Sequence, residues 1–500
     1  MKNEKSFFAR FFSSGKEKDP INMLTNRVGW YILTFKNHQG EQIGEKEDRK
    51  MLHTEDKKVR ELLFSGNMGL ERESLRIMPN GSFSHTYHPF SEEESHIVYD
   101  FCENQTEVNT SVGGSPEEAW NYLRGHVRYI QRTLSEMDEP ELLWPFSNPP
   151  YIKNEADIPI ARHVESAGYR EGYREFLADR YGRYKMALCG IHVNFSFAED
   201  LLKADFAASG QTDYSEYKND LYVVLAERAA AYGWIITALT AASPVFDGSY
   251  IEKGRSGTSY FNGMASTRCS ELGYWNYFAP VLDYTDIRKY ADSIRKYVDE
   301  GMISTTTELY YPIRLKPTGK NNLKRLHDEG VSHIELRMVD LNPYDEAGVS
   351  LYDLKFIHFF LIWLIGSDRQ SFHKKDQVQA VQNFKNAAHY DLKTVKIVIP
   401  TGEAYSADEA GRHVIGFMRD FYRDLSGKYK GEGLEESFDQ VFEILDFEEA
   451  KFIDPERRYA WRVRKEFEED YVKKGLAHAQ RQQDEAISCV NYSEYQAAGQ

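Results

Sequence analysis

Residues 69–76 read GLERESLR, and the fold turns on how this stretch is laid out. In an extended chain successive side chains alternate, so Glu71 and Glu73 fall on one face and Arg72 on the other. Three further segments alternate in the same way. GIHVNFSF (190–197) sets His192, Asn194 and Ser196 against Ile191, Val193, Phe195 and Phe197. SHIELRMV (332–339) sets His333, Glu335 and Arg337 against Ile334, Leu336 and Met338. YYPIRLK (310–316) sets Tyr310, Arg314 and Lys316 against Tyr311, Ile313 and Leu315. This pattern predicts a sheet with one apolar, packed face and one polar face. DFCENQTEVNT (100–110) reads two ways: Glu103, Gln105 and Glu107 share a strand face, and Asp100, Glu103 and Glu107 share a helical one.

Each polar face alone reads as an ordinary solvated strand face. Together they carry Glu, Glu; Glu, Gln, Glu; His, Asn, Ser; and Glu, Arg, instead of a solvent mixture of Lys, Thr and Ser. If the sheet curves, carboxylates and one imidazole converge on a cavity, and converging like charges need a cation. An oxygen-rich set suits Mg²⁺ or Mn²⁺, which also bridge to phosphates. The chain has no calcium-loop pattern, no HExxH, no GxxxxGK[ST] and no GxSxG. Any nucleotide must therefore be held by metals and by scattered arginines, with Arg174, Arg268, Arg314 and Arg337 as candidates; taken singly, each is as readily a surface ion pair.

The chain has 500 residues, a net charge of −16 and 41% hydrophobic residues, enough for a large core. The acidic balance argues against a nucleic-acid binder. Four cysteines, none in CxxC spacing, suggest reduced thiols in a cytoplasmic protein. The N-terminus lacks a signal-peptide core, and FFARFF (7–12) reads as a helix packed on the body. FIHFFLIWLIG (356–366) is too short to span a bilayer and reads as a buried core helix. SPEEAWNYLRGHVRYIQRTLSEM (115–137) predicts a helix capped by Ser115, with Glu118 three residues on. NDLYVVLAERAAAYGWIITALTAASP (219–244) predicts one helix ending at Ser243-Pro244. The run RYAWRVRKEFEEDYVKKGLAHAQRQQDEA (458–486) predicts helix with no break before Gly475, and the last residues read as frayed. Three parts are expected: an irregular extension over 1–60, a catalytic core over 61–366 and a mostly helical region over 367–500 packed on that core.

In order, GLERESLR, YHPF, DFCENQTEV, LWPFSNPPYI, YREFLADRYG, GIHVNFSF, ASTRCSELGY, ELYYPIRLK and IELRMVDLNPYDEAGV resemble the bacterial glutamate–cysteine ligases, from about residue 60 to about 366. The resemblance implies an α+β fold: a curved antiparallel sheet of the glutamine synthetase-like kind, flanked by helices. It implies ATP-dependent joining of the L-glutamate γ-carboxylate to the L-cysteine amine through a γ-glutamyl phosphate, the first step of glutathione synthesis, with two or three Mg²⁺ or Mn²⁺ ions. By motif match, Glu71, Glu73, Asp100, Glu107, His192 and Glu335 are the metal-ligand candidates, with Glu103 behind them. Arg337 and Arg174 are the catalytic candidates, and Arg314 and Arg337 the nucleotide-binding ones. Tyr173, Arg268, Tyr274 and Tyr310 match substrate-pocket positions. Departures at Val98-Tyr99, at Asn148 and in YGWIITALTAASPVF touch no proposed ligand. They leave the amine acceptor open, so a γ-glutamyl ligase for another amine is the nearest rival. An inactive regulatory homologue is a further one. The tail lacks the Gly-rich strands of a second, glycine-adding domain, so a single activity is expected.

Overall fold

Gly66–Ile77 forms the longest strand, β1, and the sheet is assembled on both of its edges. The computed structural model describes residues 51–489 except 92, 163–168, 252–256, 321 and 368–371, all within the unit that spans 48–500. FFARFF, most of the expected extension and the final residues lie outside the described residues. Eleven strands are described: β1, β2 (Ile97–Tyr99), β3 (Gln105–Asn109), β4 (Leu142–Leu143), β5 (Ile191–Phe197), β6 (Val245–Asp247), β7 (Ser259–Phe261), β8 (Ile313–Lys316), β9 (His333–Val339), β10 (Lys396–Val398) and β11 (Ala404–Ser406). Seven make one antiparallel sheet in the order β2-β3-β1-β5-β9-β8, with β4 also paired to β1. β6–β7 and β10–β11 are separate two-stranded pairs.

Alternation decides which face is buried. Met68, Leu70, Val193, Phe195, Ile334, Leu336, Ile313 and Leu315 are all within 3% of full burial. Their strands pair Leu70 with Val193, Val193 with Leu336, and Leu336 with Ile313. Each such side chain contributes roughly 1.5–3 kcal/mol of hydrophobic stabilisation. Helices Pro116–Ser135, Tyr214–Tyr232 and Leu351–Gly366 pack against one another or against these strands. The expected buried helix at 356–366 is confirmed, down to His358, which burial pushes to about 4. Ser115 Oγ accepts from the Glu118 amide at 3.1 Å, as its capping role predicts. Glu118, however, reaches back to the amide of Gly114, not of Ser115.

Three segments differ from their sequence readings. Residues 100–110 are neither one strand nor a helix: β2 ends at Tyr99, 101–104 turn, and β3 returns antiparallel to β2. The apolar run after Asn219 breaks at Gly233 into Tyr214–Tyr232 and Trp234–Thr240, bent by 55°. Among the described residues no single helix is long and apolar enough to cross a membrane. In the tail the break falls at 468–470, between helices Tyr459–Phe467 and Tyr471–Ser488. Gly475 lies inside the second helix because the Trp144 ring sits where a Cβ would stand, 2.3 Å away.

The C-terminal helices are integral to the packing. Tyr471 meets Trp144 edge-on at 5.5 Å and donates its hydroxyl to the Asn148 carbonyl at 2.7 Å. Lys451, in helix Glu435–Ile453, is buried between Asp353 (2.7 Å) and Glu448 (2.8 Å), which joins that helix to Leu351–Gly366. Asn148, one of the departures from the resemblance, donates to the carbonyls of Ser243 and Val245, both at 2.9 Å. It is a bracket between loops.

Candidate active site

Strand register brings the acids together. Glu73 stands opposite Glu107 on β3, Glu71 opposite His192 on β5, and Glu335 on β9 opposite Asn194. The β5–β9 pairing shifts between Ile191 and Val193, so His192 sits at an irregularity of the kind that re-aims a side chain. Glu71 Oε2 accepts from His192 Nδ1 at 2.7 Å, and Glu71 Oε1 from Asn194 Nδ2 at 2.9 Å. The second ring nitrogen, Nε2, faces Arg268 at 3.2 Å and Glu73 Oε1 at 3.7 Å. Nδ1 also stands 3.4 Å from Arg337 Nη1 and 3.9 Å from Glu335 Oε1. Glu335 Oε1 takes Arg337 at 2.9 Å and Lys316 at 3.1 Å. Arg72, as alternation requires, turns to the packed side and donates to the Glu346 carbonyl at 3.1 Å.

The electrostatics divide the acids into two groups. Burial pushes Glu335 and Glu71 upward, but their partners outweigh it. Arg337, Lys316 and Arg314 hold Glu335 well below the carboxylate range, and the His192 hydrogen bond brings Glu71 to about 2. In the second group burial outweighs the partners. Burial, then the charge of Asp100, pushes Glu73 up to about 8. Burial raises Asp100, against Arg174, and raises Glu107 further because Asp100, Glu71 and Glu73 surround it. Burial and Arg337 hold His192 at about 4, so its imidazole is neutral and can offer a lone pair.

This arrangement fits a divalent cation. Ligand atoms of Glu71, His192 and Glu335 all lie within 4.8 Å of one another. Glu335 Oε2 is buried and has no hydrogen-bond partner. Carboxylate oxygens with one imidazole form an oxygen-rich donor set, and burial raises Glu73, Asp100 and Glu107, acids whose charge a cation would offset.

Beside the acids lies a small cavity lined by Arg268, Tyr274, Tyr310 and Arg337, with Cys269, Trp275, Met338 and Phe384 forming apolar wall. Tyr274 and Tyr310 meet edge-on at 4.9 Å. Arg268 is buried because Gly190 leaves room for it: a Cβ there would stand 2.4 Å from the guanidinium carbon. Cys102, Cys189 and Cys269 are buried free thiols raised by burial, Cys269 to about 11, so none is an activated nucleophile.

Glu103 and Tyr173 stand apart from the acid group and the cavity lining, and Arg314 is partly engaged by a loop. Glu103 lies in the turn, and its carboxylate is taken by the backbone amides of His88 (3.0 Å) and Arg162 (2.7 Å), so it does not join the acid group. Arg314 donates from one nitrogen, Nη2, to the carbonyls of Thr307 and Leu309, and it bears on Glu335, its cross-strand neighbour, electrostatically. Tyr173 hydrogen-bonds Thr307 Oγ1 at 3.1 Å, outside the cavity lining. Arg174 donates to the Ala161 carbonyl at 3.2 Å and bears on Asp100 electrostatically. Conversely, Lys316 and Asn194 contact the acids, and both were visible as polar-face positions of their strands. Gly190 carried no signal, because its need comes from a residue 78 positions later.

The site is a buried acidic sheet face with Arg268 and Arg337 beside it, on an antiparallel sheet backed by helices. The sequence model for glutamate–cysteine ligase matches residues 51–302 and 279–387, and the chain belongs to that family. It is 33% identical over 424 residues to the glutathione biosynthesis bifunctional protein GshAB of Listeria welshimeri, covering 82% of this chain and 53% of that protein. The corresponding protein of Clostridium perfringens is 32% identical over 376 residues, covering 73% and 48%. The chain thus spans about half the length of the curated relatives it matches. A bifunctional glutathione synthetase from Pasteurella multocida superposes with a TM-score of 0.74 at 25% identity, covering 90% of this chain and 56% of that one. A glutamate–cysteine ligase from Francisella tularensis, solved in complex with AMP, shares the fold: TM-score 0.74, 21% identity, covering 87% and 91%.

Proposed function

We propose that this protein joins the γ-carboxylate of L-glutamate to the amine of L-cysteine with ATP, giving γ-glutamylcysteine, ADP and phosphate. The observation that carries the reading is the convergence of Glu71, Glu73, His192 and Glu335 beside Arg337 and Arg268, in a member of this ligase family. A carboxylate is a poor electrophile, so its oxygen first attacks the γ-phosphorus of ATP and ADP leaves. The amine nitrogen then attacks the acyl carbon, loses a proton, and phosphate departs.

Glu71, His192 and Glu335 would hold one Mg²⁺ or Mn²⁺, with Glu73, Asp100 and Glu107 for one or two more. Ions held by these residues would supply screening of the phosphate charge. The chain's own residues do the rest. Arg337 places a guanidinium at the acid face, where charge spreads over the transferring phosphoryl group, and Arg174 adds a second beside Asp100. Lys316 joins Arg337 as a phosphate-facing cation. Arg268 lines the cavity as a buried cation that would face an amino-acid carboxylate, and Tyr274 and Tyr310 form aromatic walls for the amine acceptor. The apolar remainder of the cavity suits a small uncharged side chain. This role carries a cytoplasmic location, in keeping with four free cysteines.

The test is ADP release in the presence of glutamate, Mg²⁺ and a panel of amines. Cysteine is expected to stimulate release most. Stimulation by another amine but not by cysteine would reassign the acceptor. No release with any amine would favour an inactive homologue.

A further inference from the structure

Glu308 is completely buried, is not an acid-face residue, and has no part in the mechanism above. It nevertheless joins the helix 169–181 to two segments that line the cavity, those of Tyr274 and Tyr310. Its Oε1 accepts from the Tyr181 hydroxyl at 2.8 Å and pairs with Arg180 Nε at 3.1 Å. Both donors end the helix Tyr169–Tyr181, which carries Tyr173 and Arg174. Its Oε2 accepts from the Ser304 amide at 2.6 Å, which closes the 304–308 turn. Its own backbone carbonyl accepts from Asn276 Nδ2 at 2.8 Å, while Asn276 Oδ1 accepts from the amide of Tyr310 at 2.8 Å. Asn276 follows Tyr274 by two residues, and the Tyr181 ring meets Tyr310 edge-on at 5.1 Å. Tyr310 is thus fixed by its amide from one side and by its ring from another.

We infer that Glu308 is the positioning residue for the acceptor cavity, holding the helix 169–181, the 274–276 segment and Tyr310 in one arrangement. The inference rests on the function proposed above and assigns a specificity role to a residue that touches no substrate. The chemistry is demanding. Every bond to the carboxylate is one it accepts, on both oxygens, from a hydroxyl, a guanidinium and an amide. A carboxamide accepts on one side only and turns an N–H toward a donor on the other. Glu308→Gln therefore keeps the volume but releases either the Ser304 turn or the Tyr181–Arg180 pair. Glu71, Glu73, His192 and Glu335 stand on other strands, whereas Arg174 rides on the helix that Glu308 holds.

The experiment compares wild type, Glu308→Gln and Tyr181→Phe in steady-state ADP release, with ATP, glutamate and cysteine varied in turn and melting temperature recorded. The expected result for Glu308→Gln is a rise of roughly tenfold in the cysteine KM, larger than any fall in kcat through Arg174, with the ATP KM within about twofold. Tyr181→Phe removes one arm and should raise the cysteine KM by about threefold. If Glu308→Gln does not fold, Tyr181→Phe decides alone. An unchanged cysteine KM in the folded variants, or a fall in kcat at constant KM, overturns the positioning role while leaving the ligase reading intact. A wild type inactive with every amine overturns the parent reading, and the positioning role falls with it.

Discussion

Glu73 is the residue whose chemistry is most exposed to test. Burial and Asp100 raise it to about 8, well above its ordinary 4.5, so the metal-free protein holds it protonated at neutral pH. The sign of the pH dependence follows. A group raised on folding stabilises fully below its unfolded value and loses that contribution as pH rises through its folded value. Metal-free protein should therefore lose stability as pH climbs from about 4.5 toward 8. Mg²⁺ must displace that proton, so its apparent affinity should rise with pH, by up to about tenfold per unit, and level off above about 8. Melting temperatures in EDTA and in Mg²⁺ across pH 5–9 check both slopes. Glu73→Gln should flatten the Mg²⁺ dependence and lower kcat/KM by on the order of 100-fold. An active Glu73→Gln with unchanged Mg²⁺ dependence would refute the assignment. At this scale strict alternation made Glu71, Glu73, His192 and Glu335 legible, because each lies inside a regular strand. Glu103 was not, because it sits in a turn, where period-two reasoning has no purchase. Arg314 lies on a strand, but its long side chain folds back onto carbonyls that local sequence does not reveal.

Elements were legible wherever one face is apolar and the other polar. The bend in an apolar helical run was not, because nothing in such a pattern marks where it falls. The run after Asn219 bends at Gly233, and tertiary packing chooses that point. The short β10–β11 pair escaped notice in a tail read as helical, because three-residue strands carry little periodicity. The buried Lys451 cluster is the element-scale feature with the clearest energetic consequence. It places one cation between Asp353 and Glu448, with the Tyr459 hydroxyl 3.1 Å from Asp353. Lys451→Met leaves two buried carboxylates without a counter-charge and should cost about 3 kcal/mol. Urea denaturation measures it, and a loss below about 1 kcal/mol would show that the helices do not depend on this pair.

For the whole molecule, the expected division at residue 366 understates how far the C-terminal helices belong to the core. Phe146 packs edge-on against Phe467 at 4.9 Å and against Tyr471 at 5.3 Å, and Gln483 donates to the carbonyls of Gln131 and Glu141. A chain ending at residue 458 loses these partners of Trp144 and Phe146, and it should show no cooperative thermal transition by circular dichroism. A melt equal to the full chain's would make the tail an appendage.

The central claim, that the carboxylate is activated as an acyl phosphate on this acidic face, is tested most directly by oxygen transfer. Glutamate carrying ¹⁸O in its γ-carboxylate is turned over with ATP, Mg²⁺ and cysteine, and the released phosphate is analysed by mass spectrometry. The account predicts one ¹⁸O in each phosphate formed, because the oxygen that bridges carbon and phosphorus leaves with phosphorus. Phosphate without label, or cleavage of ATP to AMP and pyrophosphate, would contradict it.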